Sequence, residues 1–339
     1  MLLKMYPIHK FIAIFCTVFF LFSSCDDSKQ VLQPDTEEET VEKIETPNFN
    51  NQLAYDFIKK QVDFGPRVPS TSSHEACAQW LLTTMKSMSD SAFFQNFETT
   101  TFDGKKHKGK NIIAQINPSN PHRIMFSAHW DTRPFADQDS KDQKKPIMGA
   151  NDGGSGVGVL LALLDAMKSQ KPTLGIDIVL FDLEDYGQPE NSGFPEMKDS
   201  YCLGSQYWAQ NVHTPHAISY GVLLDMVGGF GATFLKEGYS MAYAPNLVQR
   251  VWNHASDLGY SGYFPYKDGP AITDDHTYVN SIARIPTIDI IHLQENQNSS
   301  FASYWHTHND NMASVDKNAL KAVGQTLLRL IYEENKSVK

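Results

Sequence analysis

The stretch Ile176-Asp177-Ile178-Val179-Leu180-Phe181-Asp182-Leu183-Glu184-Asp185 decides the architecture. Ile176 to Phe181 is rich in β-branched and aromatic residues and reads as a buried strand. It runs straight into acids, Glu184 and Asp185 among them. Apolar runs of the same kind lie at Asn111–Ile116, Ile124–Ala128, Tyr220–Leu224 and Ile285–Ile291. Between and around them the spacing predicts helices over Ser72–Met88, Ser155–Met167, Ser205–Val212, Leu247–Leu258 and Lys317–Glu333. Ser72 with Glu75 has the spacing of a capping box at the start of the first. Strands alternating with helices predict an α/β fold: one domain with a mixed, mostly parallel central sheet flanked by helices.

In such a sheet, ligands bind outside the carboxyl ends of the strands. His129 and Asp131 follow the second strand, Glu184 and Asp185 the third, and Asp225 the fourth. Asp152 sits in a glycine-rich loop before a helix, and His306 follows the fifth strand after a longer loop. Imidazoles and carboxylates therefore collect on one rim. A hydrolytic or acyl-transfer zinc site is built from these types, with one position left open. Singly, each has an ordinary explanation as a surface or core polar group; together they propose a metal centre.

The rest of the chain sets limits. It has 339 residues, 41% hydrophobic and 20% charged, which suits a soluble enzyme. The net charge of -10 falls partly on residues 26–50, leaving a mild acidity over 51–339 with no basic stripe, so nucleic acid is an unlikely partner on charge grounds. Lys4, His9 and Lys10 precede the apolar run Phe11–Phe22, the pattern of a secretory signal. Leu21-Phe22-Ser23-Ser24-Cys25 resembles a bacterial lipobox, in which the cysteine is diacylated. The expected organisation is a lipoprotein signal over 1–24, lipidated Cys25 with a disordered acidic tether over 25–50, and a catalytic domain over 51–339. Membrane contact is expected only through the lipid, at the periplasmic face or outer membrane of a bacterial envelope. Once Cys16 and Cys25 are set aside, Cys77 and Cys202 could form at most one disulfide. No Cys-x-x-Cys spacing exists for a thiolate metal site.

The segments Ser127–Asp131, Gly149–Gly156, Phe181–Asp185, Leu224–Met226 and Trp305–Thr307 resemble, in order and spacing, the zinc aminopeptidase superfamily, whose fold is of the phosphorylase/hydrolase-like kind. Within it they look most like animal-type glutaminyl cyclases in their Bacteroidetes form. The resemblance runs through Phe64–Pro69, Cys202–Trp208, Leu235–Tyr239 and Lys317–Gly324. It implies that Asp152, Asp185 and His306 hold one zinc per chain and that Glu184 is the general acid/base. It also implies that Asp225 and Asp274 hold the substrate amine through a shared proton or hydrogen bond, and that Trp305 closes over a glutamine side chain, with Tyr186 or Trp130 as further walls. The activity implied is conversion of N-terminal glutamine on peptides and exported proteins to pyroglutamate with release of ammonia, by a monomer. Two-metal aminopeptidases of the superfamily use a histidine at the place of His129 with the residues at Asp225 and Asp152. All of these types are present, so the ligand inventory leaves a di-zinc aminopeptidase open. Asp275 and His276 are expected to be structural.

Overall fold

The computed structural model describes residues 45–294 and 300–337. In chain order the elements are α1 (Asn51–Val62), α2 (Ser72–Lys86), β1 (Ser91–Thr100), β2 (Lys106–Ile116), β3 (Arg123–His129), α3 (Gly154–Ser169), β4 (Gly175–Phe181) and α4 (Leu203–Gln210). There follow β5 (Ile218–Asp225), α5 (Gly238–Tyr243), α6 (Pro245–Asp257), α7 (Asp275–Tyr278), β6 (Thr287–Ile291) and α8 (Lys317–Ser337). The strands form one sheet in the order β1-β2-β4-β3-β5-β6. β1 and β2 run antiparallel to their neighbours, and β4, β3, β5 and β6 are mutually parallel. The mixed, mostly parallel sheet is the one the apolar runs predict. β1 is an addition: its alternating, half-exposed residues pair with β2 only, and an edge strand of that kind carries no continuous apolar signal.

The side-chain period of two splits the strands between two cores. Ile112, Phe126, Ile178 and Val222 face the large core under α1, α3 and α8, whereas Ile113, Met125, Val179 and Phe181 face a smaller one with Trp208 of α4. β3 lies between β4 and β5: the chain passes from β3 to β4 on one side and then from β4 across to β5 on the other. Its carboxyl end is thus the place where neighbouring connections diverge and a crevice opens. The cap of α2 is Thr71, whose hydroxyl accepts from the His74 N–H at 3.3 Å, one residue before the expected Ser72; Glu75 instead faces outward to Lys110 and Gln79.

The compact unit runs Ile44–Lys339, so the domain begins earlier than residue 51. Residues 46–50, assigned by composition to a disordered tether, are docked on α8. Phe49 is 2% exposed, its N–H donates to Gln325 Oε1 at 2.9 Å, and Lys321 Nζ donates to the Phe49 carbonyl at 2.7 Å. Gly324 makes room, since a Cβ there would lie 2.3 Å from the Phe49 ring. Phe49→Ala should therefore cost about 3–5 kcal/mol by urea denaturation, the range for emptying a buried phenylalanine site. A loss under about 1 kcal/mol, ordinary for a surface change, would put Phe49 outside the core. The signal, Cys25 and residues 26–44 lie outside the described residues. Among the described residues no helix is long and apolar enough to cross a membrane.

Candidate metal centre and active site

The parallel strands deliver the polar residues to one rim. His129 ends β3 and Asp225 ends β5, while β4 passes through Leu183 into Glu184 and Asp185. Asp152 arrives on the turn into α3. That turn needs glycine at 153, where φ is +81° and a Cβ would meet the Asp131 carbonyl at 2.3 Å. Three non-glycine residues of the rim also hold left-handed backbone: Leu183 (φ 56°), Met226 (φ 49°) and His306 (φ 54°). Such conformations cost free energy and persist where surrounding structure enforces them, often at functional sites.

The side chains meet in two groups that share Asp152. In one, His306 Nε2 lies 3.3 Å from Asp185 Oδ1 and 3.7 Å from Asp152 Oδ2. In the other, His129 Nε2 lies 3.1 Å from both Asp152 Oδ1 and Asp225 Oδ1. Each group brings three ligand atoms within 4.8 Å of one another. The chemistry fits a divalent cation in the first group. Asp185 Oδ2 is buried with no hydrogen-bond partner, and burial together with the Asp152 charge pushes the Asp185 carboxyl up. One imidazole and two carboxylates are a common donor set for zinc with a site left open.

Beside this group is a cleft of about 360 Å³ lined by Glu184, Asp225, Asp274, Trp305 and the apolar side chains of Met226, Ile272, Ile291 and Phe301. The Trp305 ring stacks on the His306 ring with centroids 3.7 Å apart, and Phe301 lies 4.5 Å from Trp305. Burial pushes the Glu184 carboxyl well above its ordinary range; His129 pulls it down, but Asp185, Asp274 and Asp275 push the same way as burial. Its carboxylate accepts from the Cys202 thiol at 3.4 Å. Cys202 and Cys77 are free and buried, so they form no disulfide.

His129, Asp152, Glu184, Asp185, Asp225, Asp274, Trp305 and His306 all lie at this rim, whereas two residues expected as walls do not. Asp225 contacts His129, while Asp274 caps α7 by accepting the Asp275 N–H, and its other carboxylate oxygen is buried without a hydrogen-bond partner. Burial, opposed by the His129 contact and reinforced by the Asp274 charge, pushes Asp225 up to about 7. Trp130 and Tyr186 are not walls of the cleft. Trp130 is fully buried, stacks on His74 and donates to the Lys110 carbonyl, and Tyr186 packs among Phe102 and Phe135 with its hydroxyl donating to Asp103. His276, expected to be structural, is buried with its Nε2 3.1 Å from Glu237 Oε2.

Several carboxylates support the site from behind the rim. Asp131 accepts the N–H groups of Glu184 and Asp185 at 3.1 and 3.2 Å, fixing acid and ligand side by side. Asp310 accepts the N–H groups of Asn151 and Asp152 at 2.8 and 3.0 Å, aiming Asp152. His306 Nδ1 faces Asp137 Oδ1 at 3.2 Å. Asp137 and Asp310 lie in loops off the strand ends, so a search of strand ends passes over them.

The raised carboxyls set a pH dependence. Asp225, Asp185 and Glu184 hold protons in the metal-free fold at pH values where the unfolded chain, with carboxyls near pKa 4, has lost them. Stability of the metal-free protein must therefore fall as pH rises through about 7. Melting temperatures between pH 5 and 8 should decline for chelated protein and flatten once the metal is restored; a metal-free curve that rises over this window would contradict the assignment.

Comparison with known proteins places the geometry. The profile of Peptidase family M28 matches residues 111–331. A Zn-dependent exopeptidase from Parabacteroides distasonis is 47% identical with a TM-score of 0.83, over 85% of this chain and 99% of that one. The glutaminyl cyclase of Tannerella forsythia is 46% identical with a TM-score of 0.82, over 84% and 99%. The cattle glutaminyl-peptide cyclotransferase is 24% identical over 66% of this chain, which spans 65% of that relative's length. With a rim of this geometry and a profile match across all but its first strand and two leading helices, the chain belongs to peptidase family M28.

Proposed function

We propose that this protein is a zinc-dependent glutaminyl-peptide cyclotransferase. The carrying observation is the apolar cleft in which Trp305, stacked on His306, adjoins both the ligand group and Glu184. Similarity to the Tannerella forsythia glutaminyl cyclase over 99% of that chain supports the same reading. Asp152, Asp185 and His306 would hold zinc, which when bound supplies Lewis acidity for the γ-carbonyl oxygen of an N-terminal glutamine.

The protein's own groups account for the proton movements. Glu184 takes a proton from the substrate α-amine as its nitrogen bonds to the side-chain Cδ, closing the five-membered ring. It then gives that proton to the amide nitrogen, the C–N bond breaks, and ammonia leaves. A carboxyl raised by burial can serve first as base and then as acid. Asp225 and Asp274 at the cleft edge would hold the α-amino group, and Trp305, Phe301 and Ile291 keep water from the ring-closing carbon.

We place one zinc per chain, because Asp225, pushed up to about 7 and engaged with His129, is a weak ligand for a second ion. A specific observation favours the alternative, a di-zinc aminopeptidase: the His129, Asp152 and Asp225 group is already assembled. Incubating the purified enzyme with a glutamine-led peptide separates the two. Ammonia release with one tightly held equivalent of zinc is the expected result, and free amino acids with two equivalents would overturn it. The substrates proposed are peptides and exported proteins with N-terminal glutamine, processed by a monomer tethered to the bacterial envelope through acylated Cys25. Cys25→Ser should release soluble enzyme or leave an unprocessed precursor; mass spectrometry finding an unmodified N-terminus downstream of Cys25 in the native protein would refute the anchor.

A further inference from the structure

Arg133 is fully buried in the loop after β3, with the rings of Tyr201 and Phe135 5.3 and 5.7 Å from its guanidinium carbon. Its donors fork in two directions. Nη1 donates to the Asp185 carbonyl at 3.0 Å and the Gly187 carbonyl at 3.3 Å, and it lies 3.5 Å from Asp185 Oδ1. Nε and Nη2 grip the two oxygens of Asp137 at 2.6 and 3.0 Å, the bidentate pairing that fixes a carboxylate in one plane. Asp137 Oδ1 is in turn 3.2 Å from His306 Nδ1, although that N–H is not aligned on the oxygen for a good hydrogen bond.

The backbone around these groups is stitched in the same sense. The Gln138 N–H donates to the His306 carbonyl at 3.3 Å, and Asp139 Oδ2 accepts from both the N–H and Nδ1 of His308 at 2.9 Å. The segment carrying Asp137 therefore clasps the segment carrying His306, which holds left-handed backbone. His306 reaches the site from a long loop after β6, and no strand end fixes it as β3 fixes His129.

We infer that Asp137, clamped by Arg133, is the positioning residue for His306, so that one guanidinium braces two of the three ligands of the zinc group. An imidazole whose far nitrogen faces a fixed carboxylate is held in one ring orientation and is a more basic ligand. The inference rests on the reading that zinc sits at Asp152, Asp185 and His306.

The test is zinc affinity, measured by competition with a chromogenic chelator, for Asp137→Ala, Asp137→Asn, His306→Ala and the Asp137→Ala/His306→Ala double variant. Loss of such an outer partner should weaken zinc binding about 10–100-fold, in both Asp137 variants, with the circular dichroism of the metal-free proteins unchanged. Asp137→Asn keeps the volume of the side chain and guards against a packing artefact. Because Asp137 acts through His306, removing it should cost little further affinity once His306 is gone. Affinity within twofold of the parent in both Asp137 variants, or losses that add in the double variant, would overturn the brace. An unchanged affinity in His306→Ala would overturn the zinc placement itself, and the brace with it.

Discussion

Glu184→Gln lowers turnover about 100-fold or more while the protein keeps its zinc and its substrate affinity. The replacement has the same shape, so the contact with the Cys202 thiol and the packing beside Asp185 can persist. What it loses is the ability to accept a proton, and general acid/base groups contribute about 10²–10⁴-fold. Glu184 is placed for the work by Asp131, which fixes its backbone N–H, and by burial, which raises its carboxyl with help from Asp185, Asp274 and Asp275. The sign of the pH effect follows. The base must be ionised to take the amine proton, so the rate should climb as pH rises through a pKa above the ordinary carboxylate range. That limb should vanish in the variant. Steady-state kinetics on a glutamine-led peptide, with ammonia as the readout, measures both effects. Near-native turnover would move the proton to Asp274 or Asp225, the other carboxyls that line the cleft.

The parts legible in the sequence are those that parallel-sheet physics forces into view. A fully buried strand must be apolar throughout, so Ile176–Phe181 marks itself, and the first polar residues after it mark the ligand rim. His129, Asp152, Asp185, Asp225 and Glu184 are found that way. His306 joins that set from beyond a longer loop, whereas Asp274 is different: only the resemblance to glutaminyl cyclases singled it out among the acids. Edge strand β1 escaped because alternation on a half-exposed strand resembles an ordinary polar stretch. The docking of Phe49 escaped because it depends on a gap over Gly324, 275 residues away in the chain, and composition has no access to such a contact.

Asp152→Ala should abolish activity and empty the metal site, a larger effect than removal of any other single ligand. Its two oxygens face different histidines, Oδ1 toward His129 and Oδ2 toward His306, so one side chain serves both ligand groups. Losing it leaves Asp185 with His306 in one group and Asp225 with His129 in the other, and a pair of ligands is a poor hold for zinc. The Lewis acidity forfeited is worth several kcal/mol, and at about 1.4 kcal/mol per tenfold the rate should drop by about a thousandfold or more. His129→Ala provides the contrast, because it leaves Asp152, Asp185 and His306 intact. In the one-zinc enzyme that variant retains its equivalent of metal, measured by atomic absorption after dialysis, whereas Asp152→Ala retains none. If His129→Ala instead loses one of two equivalents together with most of the activity, the second group is an occupied metal site and the chain works as a two-metal enzyme. The shared carboxylate thus separates the two chemistries: every version of the site needs Asp152, and only the two-metal version needs His129 as a ligand.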